Sequence, residues 1–219
     1  MLILFYQRKF FNEETPILDG IGEDGKVRRF KFPYILKSKK RNSFFLIPGS
    51  IWNCSFRDVD KIMVPNEYTL SSSPIDANPE YNDLSLLTEF IKPLERLWKT
   101  GNYIQYFQWY FPLLSGWLKF SFQEKKILII AALLSFCQKE GLFPSEYECS
   151  KCNNLNVYLH QEIGIICTRC DPSQNKLNLI PVYVLQAVGK LQHSKWPTIA
   201  DSELEKVKEL LSNIILQTR

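Results

Sequence analysis

Histidine is nearly absent from this chain, with two in 219 residues. Chemistries that draw on several imidazoles as bases or metal ligands are therefore poorly supplied. No H-E-x-x-H pair, nucleophile elbow or phosphate-cradling glycine loop stands in for them, so nothing in the sequence proposes catalysis and a binding protein is expected. Glycine and proline are sparse, at nine and twelve, while aromatics reach 14%. That excludes collagen-like and wholly disordered chains. Long apolar runs are lacking too. The longest, Ile127 to Leu134, has eight residues, against the roughly 20 that a transmembrane helix needs. Met1 to Tyr6 is apolar but too short for a signal peptide, and no small-residue cleavage site follows. A cytoplasmic protein is expected, in which six cysteines are not structural disulfides.

The most informative absence is of acid. Residues 25–57 contain no Asp or Glu but nine cations: Lys26, Arg28, Arg29, Lys31, Lys37, Lys39, Lys40, Arg41 and Arg57. The net charge of +4 arises entirely in the first third of the chain, since residues 71–219 carry fifteen charges of each sign.

What is present falls into three regimes. Short runs rich in branched and aromatic residues occupy Leu2–Tyr6, Ile17–Ile21, Val27–Phe32, Phe44–Ile47 and Ile51–Phe56, separated by turn signals. Asp24-Gly25 is a hairpin signal, and Pro48-Gly49-Ser50 marks another turn. Five strands in this length predict a small antiparallel β-barrel over residues 1–72, either an OB-fold or an SH3-like barrel, with the OB-fold preferred as the commoner. Residues 73–83 read as a polar linker. From Leu84 the period becomes helical, in the series Leu84–Leu87–Ile91–Leu94–Trp98, Tyr103–Phe107–Tyr110–Leu114–Trp117 and Ile127–Ile130–Leu134–Cys137. Pro93 and Pro112 should kink or shorten their segments, and Gly101-Asn102 and Gly141 supply stops. Further helices are predicted over 181–192 and 202–216, the last capped by Asp201 or Ser202. The expected class is α+β, with the barrel followed by an all-α helical domain over 84–219 into which a metal module at 145–175 is inserted.

That module is the strongest local signal. Cys149-Ser-Lys-Cys152 and Cys167-Thr-Arg-Cys170 stand fourteen residues apart, the pattern in which two knuckles bring four thiolates around one ion. Zn²⁺ suits such a ligand set, and a closed four-sulfur site has no open position, so it is structural. Val157–Leu159 and Gly164–Ile166 are the predicted ribbon strands. A rival reading takes His160-Gln161-Glu162 with Cys167 and Cys170 as a zinc deaminase or hydrolase signature. It leaves Cys149 and Cys152 without a role and allows only four residues between Glu162 and Cys167. Cys54 and Cys137 lie in apolar surroundings and read as buried, inert thiols.

Within the acid-free stretch the cations alternate with Phe30, Phe32, Tyr34, Phe44, Phe45, Trp52 and Phe56. Cations beside rings on a small barrel suit single-stranded nucleic acid, phosphates meeting charge and bases stacking on faces. Most of the rings themselves read as barrel core. Arg28, Arg29, Lys31 and the loop cluster Lys37, Lys39, Lys40 and Arg41 are the expected DNA contacts. A zinc-ribbon protein whose ribbon itself meets nucleic acid or a polymerase in transcription is the alternative.

The order of these parts resembles the RecO family of bacterial recombination mediators. In the first domain the resemblance is carried by Glu13, the turn Glu23-Asp24-Gly25-Lys26, the basic stretch Lys37 to Arg41 and the Pro48-Gly49 turn. In the second it is carried by Phe136-Cys137 to Gly141-Leu142-Phe143-Pro144, running directly into the first cysteine pair. The resemblance implies a non-enzymatic protein of recombinational DNA repair, cytoplasmic and nucleoid-associated, that binds single- and double-stranded DNA and anneals complementary strands. It further implies that such a protein, with RecR, helps load RecA onto DNA coated by single-strand binding protein, whose C-terminal tail the helical domain would contact. Lys119, Lys125 and Lys126 are candidates for that last contact.

Overall fold

Strands form where alternation lets one face of the chain turn inward. The computed structural model describes residues 1–12, 15–32, 47–59, 62–76, 79–97, 101–144, 147–154, 157–160, 164–171, 180–189 and 198–217. Within them β1 (Leu2–Asn12), β2 (Thr15–Gly22), β3 (Val27–Lys31), β4 (Ile51–Val59) and β5 (Ile62–Ser72) close a barrel in the order β1-β2-β3-β5-β4. Neighbours pair antiparallel except β3 and β5, which meet in parallel at Phe30 and Met63. The interior is built from rings. Phe5 meets Phe30 and Phe32 edge-on, with centroids 5.3 and 5.6 Å apart, and Ile3, Leu18, Trp52 and Cys54 complete the cluster. The core assignment therefore holds for Phe30, Phe32 and Trp52. Phe56 is half-buried, and Tyr34, Phe44 and Phe45 lie outside the described residues.

β5 departs from the sequence expectation, which has no strand after Phe56. Pro65 argues against a strand on local grounds. Here it pairs opposite Phe56, next to a register shift between Ser55 and Phe56 that absorbs the irregularity. Its side chains are half-buried or exposed, so the strand is held by its ladder with β4 and by Met63 and Tyr68, which pack against the aromatic cluster.

Contacts divide the chain into two compact units, Met1–Ser121 and Phe122–Arg219. The first joins to the barrel α1 (Tyr81–Ile91), a 3-10 turn over Lys92–Arg96 and α2 (Ile104–Ser115). Pro93 sits at the start of the 3-10 turn, where its missing N–H costs nothing. Between barrel and α1, Pro74 and Ile75 are buried. An aromatic nucleus orders the helical part. Phe90 lies 4.8 Å from both Tyr110 and Trp117, and the Tyr110 hydroxyl donates to the Phe90 carbonyl at 3.1 Å. The β2–β3 turn also belongs to this packing. Gly25 has φ +76, its carbonyl accepts from the Tyr103 amide at 2.7 Å, and it faces the first residue of α2.

In the second unit, α3 (Phe122–Lys139) is buried along most of its length and packs against α4 (Val182–Gly189) and α5 (Asp201–Gln217). Leu204, Val207 and Leu211 of α5 are buried as the stripe predicts. The predicted cap is corrected. Both Asp201 and Ser202 are already helical, the Ala200 carbonyl accepts the Glu203 and Leu204 amides, and the Asp201 carboxylate takes Lys126 Nζ at 3.2 Å. α3 ends in a Schellman motif. Gly141 adopts φ +70, the Leu142 amide reaches back to the Cys137 carbonyl at 2.7 Å and the Gly141 amide to Gln138 at 3.2 Å. The chain then turns toward the cysteines. β6 (Val157–His160), β7 (Gly164–Cys167) and β8 (Ile180–Pro181) form a small sheet in the order β7-β6-β8. Among the described residues no helix is long and apolar enough to cross a membrane.

Candidate metal centre and nucleic-acid interface

The β6–β7 ladder sets Val157 opposite Cys167, which delivers the second knuckle at the end of a strand. The first knuckle is fastened to it. The Ser150 amide donates to the Ile165 carbonyl at 3.1 Å and the Cys149 amide to Asn154 at 3.0 Å. The sulfurs of Cys149, Cys152, Cys167 and Cys170 all lie within 4.8 Å of one another, with Cys152 and Cys167 at 3.5 Å. A tetrahedron of Zn–S bonds of about 2.3 Å has edges of about 3.8 Å, so these separations suit one ion. Cys149 and Cys167 are buried, Cys152 is exposed and Cys170 intermediate.

The local chemistry favours a cation as well. Burial pushes the Cys149 thiol up, but backbone N–H groups of Cys167, Lys151 and Cys152 aimed at its sulfur outweigh this and hold it at about 6; the Cys167 amide is 3.3 Å away. Cys170 is pushed up to about 12 by protons shared with Cys152 and then Cys167. Crowded sulfurs cannot all ionise without a positive charge among them, and a bound metal supplies it by displacing the protons. The four cysteines could thus hold a metal ion, as the spacing predicts. His160 stands opposite Gly164, at the far end of the β6–β7 ladder from Cys167. Burial raises the other two thiols, Cys54 and Cys137, to about 12 each, and both side chains are buried, in keeping with inert core residues.

On the barrel, Arg28, Arg29 and Lys31 all lie on β3, while Lys37, Lys39, Lys40 and Arg41 fall outside the described residues. Arg28 binds Asp24 through both terminal nitrogens, at 2.7 and 2.5 Å, and this fork holds the Asp24 carboxyl below its ordinary range. Arg29 grips Asp19 through Nε at 2.7 Å and Nη2 at 3.0 Å. The two arginines picked out as phosphate contacts therefore already hold carboxylates, partners that the sequence analysis missed. A signal was available for one of them. A three-residue turn over Glu23-Asp24-Gly25, with Gly25 left-handed, puts Asp19 directly opposite Arg29, the register observed.

Asp19 is 7% exposed and lies close enough to the buried Tyr6 phenol to raise it, second only to burial itself. Arg29→Gln is expected to lower stability by about 1–2 kcal/mol, read from the urea midpoint. That is less than a fully buried pair would lose, because the Arg29 side chain remains 29% exposed. An unchanged midpoint would show that the pair contributes nothing to the fold.

No protein-family model matches the chain, and no curated protein matches it significantly.

Proposed function

We propose that the protein is a non-enzymatic DNA-binding and strand-annealing mediator of recombinational repair, similar in role to the RecO family, with a structural Zn²⁺ held by Cys149, Cys152, Cys167 and Cys170. The observation that carries it is the barrel. The order β1-β2-β3-β5-β4, with β3 and β5 parallel, is consistent with an OB-fold, and an acid-free cationic stretch spans its β3–β4 connection. OB-folds bind single strands by combining a positive groove with rings on which bases stack. Because the aromatic cluster Phe5, Phe30, Phe32 and Trp52 fills the interior, stacking on this protein falls to rings outside it, and phosphate contact to the exposed Lys26, to Lys31 and above all to Lys37, Lys39, Lys40 and Arg41. Arg28 and Arg29 contribute field more than direct contact, since their forks hold Asp24 and Asp19. Annealing fits such a protein physically. Cations lower the repulsion between two phosphate backbones while bases search for partners, and no covalent bond changes. The partners implied by the resemblance, RecR, RecA and the tail of single-strand binding protein, belong to the same proposal.

Changing Lys37, Lys39, Lys40 and Arg41 together to Ala is expected to weaken single-strand binding about 10- to 100-fold at moderate salt and to flatten the slope of log affinity against log salt by about 0.7 per lost contact. Annealing of complementary strands, with and without single-strand binding protein and its tail, is expected to fall in parallel. Unchanged affinity and slope would exclude the barrel as the DNA site.

A further inference from the structure

The two cysteine knuckles carry a regularity that their metal role leaves unused. Each holds a hydroxyl residue and then a cation between its cysteines: Ser150-Lys151 in one, Thr168-Arg169 in the other. One backbone bond recurs in both turns. The Cys149 carbonyl accepts the amide four residues on, from Asn153 at 2.9 Å, and the Cys167 carbonyl accepts that of Asp171 at 3.0 Å. Lys151 and Arg169 thus occupy the same place between their cysteines, around sulfurs that lie within 4.8 Å of one another. All four intervening residues are exposed, and the later cysteine of each pair, Cys152 or Cys170, is the more accessible. The solvent edge of the centre is therefore the edge on which both cations stand.

Two explanations compete for a matched pair of cations here. Four thiolates around a divalent ion carry two net negative charges, and Lys151 and Arg169 would balance them. For that role a cation gains most by turning inward and donating to sulfur. The observed amide donor to Cys149 is instead that of Cys167, while both cationic side chains are exposed, and among the described residues neither forms an ion pair with an acid. Arg28, Arg29, Lys126 and Lys208 all do. A hydroxyl beside a solvent-facing cation, presented twice on a rigid base, is chemistry suited to a phosphate backbone.

We infer that Lys151 and Arg169, with Ser150 and Thr168, form a second phosphate-contact surface for nucleic acid, on the metal knuckles of the second unit. The inference deepens the DNA-binding function proposed above and rests on it in one respect. A chain with one DNA contact in each compact unit has two points at which to hold strands, as annealing requires. The metal's part is to fix the two turns, not to touch the ligand.

The test uses the full-length, metal-loaded chain and a fluorescent oligonucleotide. Lys151→Ala with Arg169→Ala is expected to keep one metal per chain, to slow annealing about tenfold and to reduce the salt slope of single-strand binding by up to about 1.4. Lys151→Arg with Arg169→Lys is expected to keep both activities. In the unmodified protein, saturating oligonucleotide should shield Lys151 from amine acetylation, a readout that does not depend on any variant folding. Unchanged annealing and slope, or labelling of Lys151 that DNA does not alter, would overturn the inference. Metal loss with DNA affinity intact would overturn it too, and would assign the cations to charge balance. The barrel and knuckle proposals can fail separately. If the Lys37, Lys39, Lys40 and Arg41 variant binds normally while the knuckle variant does not, the barrel site falls and the knuckle site stands.

Discussion

Cys149→Ser is expected to abolish stoichiometric metal binding and to remove amide protection across β6 and β7. The size of the effect follows from what a bound metal would do for so small a sheet. Val157, Ile165 and Ile166 are its buried apolar residues among those described, too few to offset the entropy of ordering two knuckles and a hairpin. A structural Zn²⁺ contributes roughly 10–16 kcal/mol of apparent binding energy to such modules, and that energy becomes folding energy. Serine offers a poorer ligand at the most enclosed corner of the site, where the Cys167 amide is already directed at the sulfur. The measurements are metal per chain and hydrogen exchange at Val157–His160 and Gly164–Cys167. Full metal content with unchanged exchange would mean that the ribbon stands without its ion. Acid should act in the same direction as the mutation. Metal-bound sulfur must be deprotonated, so falling pH favours release and rising pH favours retention.

The second large effect is expected at Gly25. A Cβ there would lie 2.3 Å from the Ile104 amide nitrogen and 2.4 Å from Asn102 Oδ1, and the residue has φ +76. Gly25→Val meets both obstacles at once. Left-handed backbone strain costs on the order of 1–3 kcal/mol and forced overpacking a further ~1–3 kcal/mol, since backbone cannot rotate aside as a side chain can. The turn must separate from α2, losing the bond from the Tyr103 amide to the Gly25 carbonyl. A loss of about 2–5 kcal/mol in the urea midpoint is expected. Gly141→Ala is the control. Its φ is +70, but a Cβ there meets nothing within 4 Å, so only the left-handed penalty of about 1–2 kcal/mol applies. If the two substitutions cost the same, the contact with α2 is not what demands glycine at position 25.

The resemblance and the function it implies rest on motifs, whereas the fold can be followed residue by residue. The β2–β3 hairpin was legible because Asp24-Gly25 sets its turn locally, and the same local logic gave the Gly141 stop of α3. β5 was not legible, because Pro65 argues against a strand on local grounds, and its ladder with β4 is a relation between segments that neither segment announces. The pairing of Arg29 with Asp19 is intermediate. It follows from hairpin register, yet a count of cations over residues 25–57 conceals it, because the neutralising acids at positions 19 and 24 lie just outside that window.

By itself, the sequence determined the four cysteines that could hold a metal ion, the ribbon strands that carry them, the helical stripes and the burial of Phe30, Phe32 and Trp52. Each depends on spacing along a few residues or on a single period, and such short-range relations are written directly in the order of side chains. Tertiary structure alone decided that the barrel closes through β5 and that α1 and α2 join it in one compact unit. These depend on which distant segments pair. That choice is made by ladders, close approach of backbone and shared ligands across long loops, where no local pattern records the partner.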